Sequence, residues 1–358
     1  MTALQGSRLA LARRRRKMTA KALAEKAGVA PYTITRLEKG RHEPELETIS
    51  ALAAALRYPI EFFALDEPET LEVGTVSFRS LKSMTARVRD AAITGGQIGL
   101  DLNEWMEEKF TFPAVDLIDL GQGLNPEIAA AELRRHWAIG QRPVGHMIGL
   151  LESKGIRVYS LSEEVKSVNA FSFWKGETPF IFLNLYKTPE SSIFDCAHEL
   201  GHLVMHRHAG RKSSPNAERE ADAFASEFLI PREDVLSRVP RSANIELVLK
   251  AKRRWRVSAM AMAYRLHKLG RLTDWQYRTM CINLTKRGYR TSEPNSIERE
   301  KSIIWPKVFR SLWREKITKS DVAEALSIPF DELEALFWKL SDNETPIKEG
   351  EQGIRLVK

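Results

Sequence analysis

The spacing of apolar residues changes along the chain, and its first part follows the period of a helix. Over the first 65 residues, apolar positions recur at the spacing of amphipathic helices. Thr19 is a favourable N-cap, and Gly28 and Gly40 are residues at which a helix ends. The predicted helices are Arg8 to Lys17, Ala20 to Ala27, Ala30 or Pro31 to Lys39, and Glu45 to Leu56. Short helices around a Gly-Val turn are typical of a helix-turn-helix.

The pattern then becomes irregular before helical spacing returns. Residues 66–74 are acidic and contain Pro68 and Gly74, which predicts a linker. Residues 78–112 predict a helical hairpin broken at Gly95-Gly96. From Pro126 onwards, helical spacing alternates with short β-rich runs, which predicts a small sheet packed on helices. These runs are residues 155–160, 168–174 and 179–184.

The composition excludes several classes of protein. Of the 358 residues, 43% are hydrophobic and 28% are charged, as in a globular protein with a substantial core. No apolar run approaches the roughly 20 residues needed to span a bilayer, and the first residues lack the charge order of a secretory signal. The two cysteines, Cys196 and Cys281, are too few for a disulfide framework or a four-cysteine metal site. We therefore expect a cytoplasmic protein.

Positive charge is concentrated at the N-terminus. The net charge is +8, and residues 1–65 contribute +6 of it, with twelve Lys and Arg against six Asp and Glu. Seven basic residues precede the first acidic one, Glu25. A basic run is often only a solvated helix face. On a helix-turn-helix, however, a basic surface favours contact with the phosphates of DNA.

The same segment resembles a known family. The stretch MTAKALAEKAGVAPYTITRLEKGRHEPELETISALAAAL resembles the Xre/Cro-type helix-turn-helix family, and the resemblance covers residues 8–63. It implies that the exposed start of the third helix enters the major groove of a double-stranded DNA operator, and that a homodimer contacts two half-sites. The candidate DNA contacts are Pro31, Tyr32, Thr33 and Arg36 on that helix, together with Arg15, Arg16, Lys17 and Lys39.

A helix in the second half of the chain carries residues at metal-binding spacing. In His198-Glu199-Leu200-Gly201-His202 the two histidines are one turn apart, so both imidazoles can reach one Zn²⁺ ion. Glu199 follows the first histidine directly and lies near the open coordination position, where it can act as a general base. A surface helix can carry the same residues by chance, so a third ligand strengthens the hypothesis.

A second helix downstream offers that third ligand. Glu218 and Asp222 are four residues apart and share a helix face, with the glutamate suited to bind metal and the aspartate suited to orient a ligand. Glu220 is a competing ligand, but at helical spacing it points about 160° away from the face of Asp222.

Taken together, these segments resemble the ImmA/IrrE family of zinc metallopeptidases. The resemblance rests on FDCAHELGHLVMH, the helix of Glu218, FLIP, AAAELRRHWAIGQRPVGHMIGLLESKGIRVYSL and AFSFWKGETPFIFLN, and it spans about residues 126–232. It implies that His198, His202 and Glu218 bind zinc, that Glu199 is the general base and that Asp222 supports a ligand. It also implies that the strand in NAFSFW is an edge strand that pairs with an extended peptide substrate.

The sequence leaves the roles of three other side chains open. We expect His206 to face solvent at the end of its helix rather than to bind metal. Tyr159 and Tyr186 are both candidates for stabilising an oxyanion, and the sequence selects neither.

The C-terminal third is predicted to be helical. Residues 318–337 repeat the pattern of residues 19–38, but Asp331, Glu332 and Glu334 stand where a recognition helix would meet phosphate. We therefore expect a packing or protein-contact module there rather than a second DNA reader.

The predicted fold is mainly α with a small β-sheet. Its segments are an all-α helix-turn-helix DNA-binding domain (1–65), a linker and helical hairpin (66–125), an α+β zincin-like peptidase domain (126–232) and a helical region (233–358). The leading hypothesis is a DNA-binding transcriptional regulator whose zinc metallopeptidase domain cleaves itself or a partner repressor, or senses a signal. The alternative is an antitoxin that represses its own operon and binds a toxin through its C-terminal two-thirds without proteolysis. Neither hypothesis involves a membrane.

Overall fold

A computed structural model of the chain describes residues 4–69, 71, 77–78, 85–121, 123–161, 170–207, 215–241 and 243–341. Parts of the predicted linker, at 70 and 72–74, and the end of the predicted helical region, at 342–358, lie outside the described residues. The described part of the chain is mainly helical with one small sheet, which confirms the predicted fold class.

The N-terminal helices begin and end at the capping residues. The side chain of Thr19 accepts a hydrogen bond from the backbone N–H of Ala22 (3.0 Å), and Gly28 ends the second helix in the left-handed region at φ 69°. Pro31 begins the third helix, where its missing N–H costs no hydrogen bond. The helices are α1 (Gly6–Arg15), α2 (Ala20–Ala27), α3 (Pro31–Glu38) and α4 (Leu46–Leu56), followed by a 3-10 helix at Ile60–Ala64.

One long helix stands where the sequence predicts a broken helical hairpin. Helix α5 (Ala86–Glu107) continues through Gly95 and Gly96. Its glycines allow close packing, because a Cβ added at Gly99 would lie 2.7 Å from Cζ of Phe182 in the sheet. The predicted break is therefore wrong. The glycines of α5 allow the helix to pack closely on the sheet. The local sequence does not reveal this tertiary contact.

The remaining helices surround a four-stranded sheet with the strand order β1-β3-β4-β2. Strands β2 and β4 are parallel, and β3 is antiparallel to both of its neighbours. The strands are β1 (Ser77–Phe78), β2 (Arg157–Ser160), β3 (Phe171–Lys175) and β4 (Thr178–Leu183). The helices are α6 (Pro126–His136), α7 (Met147–Ser153), α8 (Pro189–Met205), α9 (Pro215–Leu229), α10 (Arg232–Arg238), α11 (Ile245–Trp255), α12 (Ala259–Lys268), α13 (Asp274–Lys286), α14 (Trp305–Arg314), α15 (Lys319–Ala325) and α16 (Phe330–Phe337). None of the described helices is both long and apolar enough to cross a membrane.

The two faces of the sheet belong to different hydrophobic cores. Alternate side chains of a strand point to opposite faces, so Phe180 and Phe182 of β4 lie in one core and Ile181 lies in the other. The first core contains side chains of α1–α5 and of α14–α16. The second core contains side chains of α6–α13. The first and last helices of the described chain therefore share one core, although they are far apart in sequence.

Strand β3 is paired on both sides. Ser77 of β1 pairs with Ser172, and Phe78 pairs with Phe171, while β4 lies along the opposite side of β3. The prediction that this strand is an edge strand is therefore wrong. The two residues of β1 lie where the sequence predicts a linker and a helical hairpin, and so short a strand has no detectable alternation of its own.

Candidate metal centre

Close packing of α8 on α9 brings the candidate ligands together. A Cβ added at Gly201 would lie 3.0 Å from the ring of Phe224, so glycine allows this approach of the two helices without a shift of that ring. Ala197, Leu200 and Val204 of α8 are fully buried in the second core. The histidines of α8 consequently face the N-terminal half of α9, which carries Glu218.

Three donor atoms from these helices converge. Nε2 of His198 lies 3.1 Å from Nε2 of His202, and the two carboxylate oxygens of Glu218 lie 3.3 and 3.5 Å from these nitrogens. In a tetrahedral zinc site with bonds of about 2.0–2.1 Å, neighbouring donor atoms are separated by about 3.3 Å. The spacing of the three donors therefore fits one zinc ion bound to two imidazoles and a carboxylate.

The protonation states of these groups also suit a metal. Burial lowers the pKa of His202 to about 4, so its imidazole is neutral at pH 7. Burial raises the pKa of Glu218, but the imidazoles of His198 and His202 outweigh it and hold that pKa at about 2. Neither buried oxygen of Glu218 has a hydrogen-bond partner among the described residues. A bound cation would satisfy both oxygens. The low pKa of Glu218 also keeps its carboxylate deprotonated, as a metal ligand must be.

The outward nitrogen of each histidine is held by another side chain. Nδ1 of His198 lies 2.9 Å from Oδ1 of Asp222, which is where the sequence places a supporting carboxylate. Nδ1 of His202 lies 3.1 Å from Nδ1 of His206, whose Nε2 is 2.8 Å from Glu220. These contacts leave both Nε2 atoms directed at the centre.

His206 is buried, contrary to the expectation that it faces solvent. Its side chain is only 3% exposed, because the N-terminal part of α9 lies over the end of α8 and brings Glu220 to the ring. The spacing of four residues from His202 is the signal by which its position could have been found. Glu220 points away from the three donors and toward this histidine.

Glu199 lies inside the protein beside the donors. Its carboxylate is 1% exposed, and its Oε2 accepts a hydrogen bond from Oγ of Ser172 on β3 at 2.7 Å. Burial raises the pKa of Glu199 to about 7, so the carboxylate can gain and lose a proton near neutral pH. The sequence does not by itself predict the contact of Ser172 with Glu199. The one available signal is that a serine between two phenylalanines of a strand is a polar residue on the opposite face of the sheet.

A cavity of about 620 Å³ reaches Asp222, the residue behind His198, but the three donor residues do not line it. Asp222 forms part of its wall, and Tyr186, Phe194, Met260 and Tyr264 contribute apolar surface. Of the two tyrosines considered for an oxyanion role, only Tyr186 therefore lies beside this space.

Tyr159 lies on the opposite face of the sheet from α8. Its ring is fully buried in the first core and stacks on Phe182, with a centroid distance of 5.3 Å. The structure removes Tyr159 as a candidate for contact with a substrate at this centre.

The helix-turn-helix presents four of the eight candidate DNA contacts to solvent. Tyr32 is 66% exposed at the start of α3. Exposed candidates are Pro31, Tyr32, Arg36 and Lys39, whereas Thr33 and Lys17 are half-buried. The start of α3 is thus accessible for insertion into a groove.

Arg15 and Arg16 contact acidic residues of the same chain, Arg15 in the interior and Arg16 nearer the surface. Nε of Arg15 lies 2.6 Å from Glu332, and both side chains are buried. Nη1 of Arg16 lies 2.7 Å from Asp331, and its Nε donates to the carbonyl of Leu56. Acidic residues of α16 thus contact both guanidinium groups. A role for Arg15 and Arg16 in DNA contact stays a prediction.

Comparison with protein families identifies both parts of the chain. Residues 9–63 match the helix-turn-helix family, and residues 151–267 match the family described as the IrrE N-terminal-like domain. Comparison with curated proteins gives no match. The chain thus joins an Xre-type helix-turn-helix, of a kind that implies DNA binding, to an IrrE/ImmA-like domain that resembles metallopeptidases.

Proposed function

We propose that the chain is a transcriptional regulator whose peptidase-like domain binds zinc and hydrolyses a peptide bond, either in its own chain or in a partner repressor. The observation that carries the proposal is the convergence of His198, His202 and Glu218 at donor separations of 3.1–3.5 Å. Purely structural zinc sites close all four positions with protein ligands, whereas catalytic sites keep one open. The three-donor set supports the catalytic type.

The protein residues divide the work of hydrolysis. When bound, zinc supplies Lewis acidity, which polarises a carbonyl and eases the ionisation of water. Ser172 holds Oε2 of Glu199, and we assign the proton taken from the attacking water to Oε1 of the same carboxylate. Glu199 then delivers that proton to the nitrogen of the leaving amine. The pKa of about 7 suits a group that accepts and returns a proton.

The helix-turn-helix would link this proteolysis to transcription. The exposed start of α3 supports reading of an operator through Tyr32, Thr33 and Arg36. Two copies of the chain on two half-sites remain our prediction for the bound form. Cleavage of the chain itself or of a second repressor would then change occupancy of the operator.

The first experiment measures zinc per chain by elemental analysis, in the wild type and in Glu218→Ala. We expect about one zinc ion per wild-type chain and a marked loss in the variant, because the variant removes one of three protein donors. Arg219→Ala is the matched control, since Arg219 is an exposed neighbour on the same helix. Absence of zinc after reconstitution would contradict the proposal and favour the antitoxin alternative.

The second experiment tests proteolysis directly. The zinc-loaded chain is incubated alone and with a library of peptides, and the products are read by mass spectrometry. Glu199→Gln should keep the zinc and lose cleavage, because the amide accepts no proton at neutral pH. Equal cleavage by wild type and variant would exclude Glu199 as the base.

A further inference from the structure

The sheet edge beside Glu199 is occupied by the chain itself. Ser172 of β3 donates its hydroxyl hydrogen to Glu199, and the backbone of the same residue faces Ser77 of β1. Paired residues of antiparallel strands have Cα atoms about 5 Å apart. Ser77 and Phe78, which lie between the DNA-binding helices and α5 in the chain, therefore form an extended pair with the strand that holds the proposed catalytic carboxylate.

The chain that leads into this strand is held to the structure around it. The carbonyl of Glu69 accepts a hydrogen bond from the side chain of Gln97 (2.7 Å), and its carboxylate lies 2.5 Å from Nζ of Lys175 at the end of β3. Leu71 packs on α5, where its Cδ1 would be 3.1 Å from a Cβ added at Gly96. These contacts hold Glu69 close to the end of β3 and Leu71 close to α5.

The pairing that the structure describes is short. Among the described residues, two of β1 pair with β3, and each net hydrogen bond of this kind stabilises a structure modestly. Tethering raises the effective concentration of the strand, so a short pairing can persist within one chain. A second peptide that forms a longer ladder with β3 could displace it.

We propose that β1 occupies the edge on which an extended peptide substrate pairs, so that the chain's own segment restrains access to the metal centre. The substrate class follows from the geometry: an unfolded or extended polypeptide segment able to run antiparallel to β3. The role of this restraint in catalysis rests on the proposed peptidase function. Occupation of the β3 edge by β1 can, however, be measured without any hydrolysis.

The test measures peptide binding by fluorescence anisotropy. The probe is a labelled synthetic peptide with the sequence of residues 73–82, and the protein is the full zinc-loaded chain carrying Glu199→Gln, which prevents turnover. Adding Ser77→Pro removes one backbone N–H from β1 and weakens its pairing. We expect the probe to bind this variant about tenfold more tightly, with a matching loss of hydrogen-exchange protection over residues 170–175 before the probe is added.

Two controls keep the result interpretable. The probe with N-methylated amides at the positions of Ser77 and Phe78 should bind neither protein, because it cannot complete the ladder. Glu69→Ala removes an exposed anchor of the segment without touching either strand, and should tighten probe binding by a smaller factor. Glu69→Ala replaces Ser77→Pro as the test variant if Ser77→Pro lowers the zinc content or the thermal stability.

The outcomes separate this inference from the proposed function. Equal affinity of the probe for the proteins with and without the β1 substitutions, or no binding to either, would overturn the restraint even if the chain holds zinc and cleaves other peptides. Loss of zinc or of all cleavage would instead overturn the proposed function. Tighter binding after loosening of β1 supports the restraint in either case.

Discussion

At the scale of single residues, each histidine of α8 uses both of its ring nitrogens. Nε2 faces the centre, while Nδ1 contacts Asp222 in one case and His206 in the other. The two supporting contacts differ in kind, because Asp222 is a carboxylate and His206 is an imidazole backed by Glu220. Orientation of a ligand by such a contact commonly affects metal affinity as well as position.

We predict that His206→Ala weakens zinc binding by about 10–100-fold without removing a ligand. The truncation frees the ring of His202 to rotate, so Nε2 is no longer held toward the centre. Competition with a chromogenic chelator measures the dissociation constant. His136→Ala is the control, because that histidine is surface-exposed and contacts Asp116. An unchanged dissociation constant would show that His206 only fills space.

The placement of the candidate site on helices can be predicted from the sequence, because helical spacing is local. His198 and His202 share one face of α8, and Glu218 and Asp222 share one face of α9, whatever the rest of the chain does. The contact of Ser172 with Glu199 and that of His206 with Glu220 depend instead on how β3 and α9 pack on α8. That packing joins residues far apart in sequence, and no local pattern encodes it.

At the scale of elements, a buried carboxylate of α7 holds the start of α14. Glu152 is 1% exposed and accepts a hydrogen bond from the backbone N–H of Ile303 at 2.7 Å, with a further bond from the hydroxyl of Ser302. Burial raises the pKa of Glu152 to about 7. The segment before α14 is thus tied to the second core through one side chain.

We predict that this carboxylate makes stability depend on pH. A folded-state pKa above the usual 4.5 means that the folded chain binds the proton more tightly, so the stabilisation is complete below pH 4.5 and is lost as the pH rises to 7. Between pH 5 and 8 the loss should be about 2–3 kcal/mol in the free energy of unfolding. Urea unfolding of the wild type and Glu152→Gln at both pH values isolates this contribution. The same pH dependence in both proteins would contradict it.

Helices with clear capping residues, such as α2 and α3, lie within two residues of their predicted bounds. Helix α5 and strand β1 differ from the prediction for a shared reason. Gly95 and Gly96 read locally as a break, but Gly96 packs on Phe171 of the sheet and Gly99, one turn on, packs on Phe182. Where tertiary contact decides the conformation, propensity alone misleads.

At the scale of the whole molecule, the acidic helix α16 fastens the N-terminal helices to the rest of the chain. Glu332 contacts Nε of Arg15 and accepts a hydrogen bond from the hydroxyl of Tyr58 (3.1 Å). Arg15 also donates to the carbonyl of Ala91 on α5. One buried carboxylate therefore connects α1, the segment after α4 and α16.

We predict that Glu332→Ala lowers the free energy of unfolding by about 3–5 kcal/mol, because it leaves the guanidinium of Arg15 buried without its carboxylate. Asp331→Ala is the matched control on the same helix. Its side chain is 66% exposed, so we expect a change within about 1 kcal/mol. Urea unfolding followed by tryptophan fluorescence measures both. A loss in Glu332→Ala no larger than in Asp331→Ala would show that the buried pair adds little.

The core shared by α1–α5 and α14–α16 limits how this regulator can be re-engineered or diversified. A helix-turn-helix that folds alone can be exchanged as a cassette between proteins, together with its operator preference. Here such an exchange would also replace one side of a core whose other side belongs to helices about 300 positions away. Changes of operator preference are therefore expected to accumulate on the solvent side of α3, at positions such as Tyr32 and Arg36. The buried sides of α1–α4 are constrained by their packing against α14–α16.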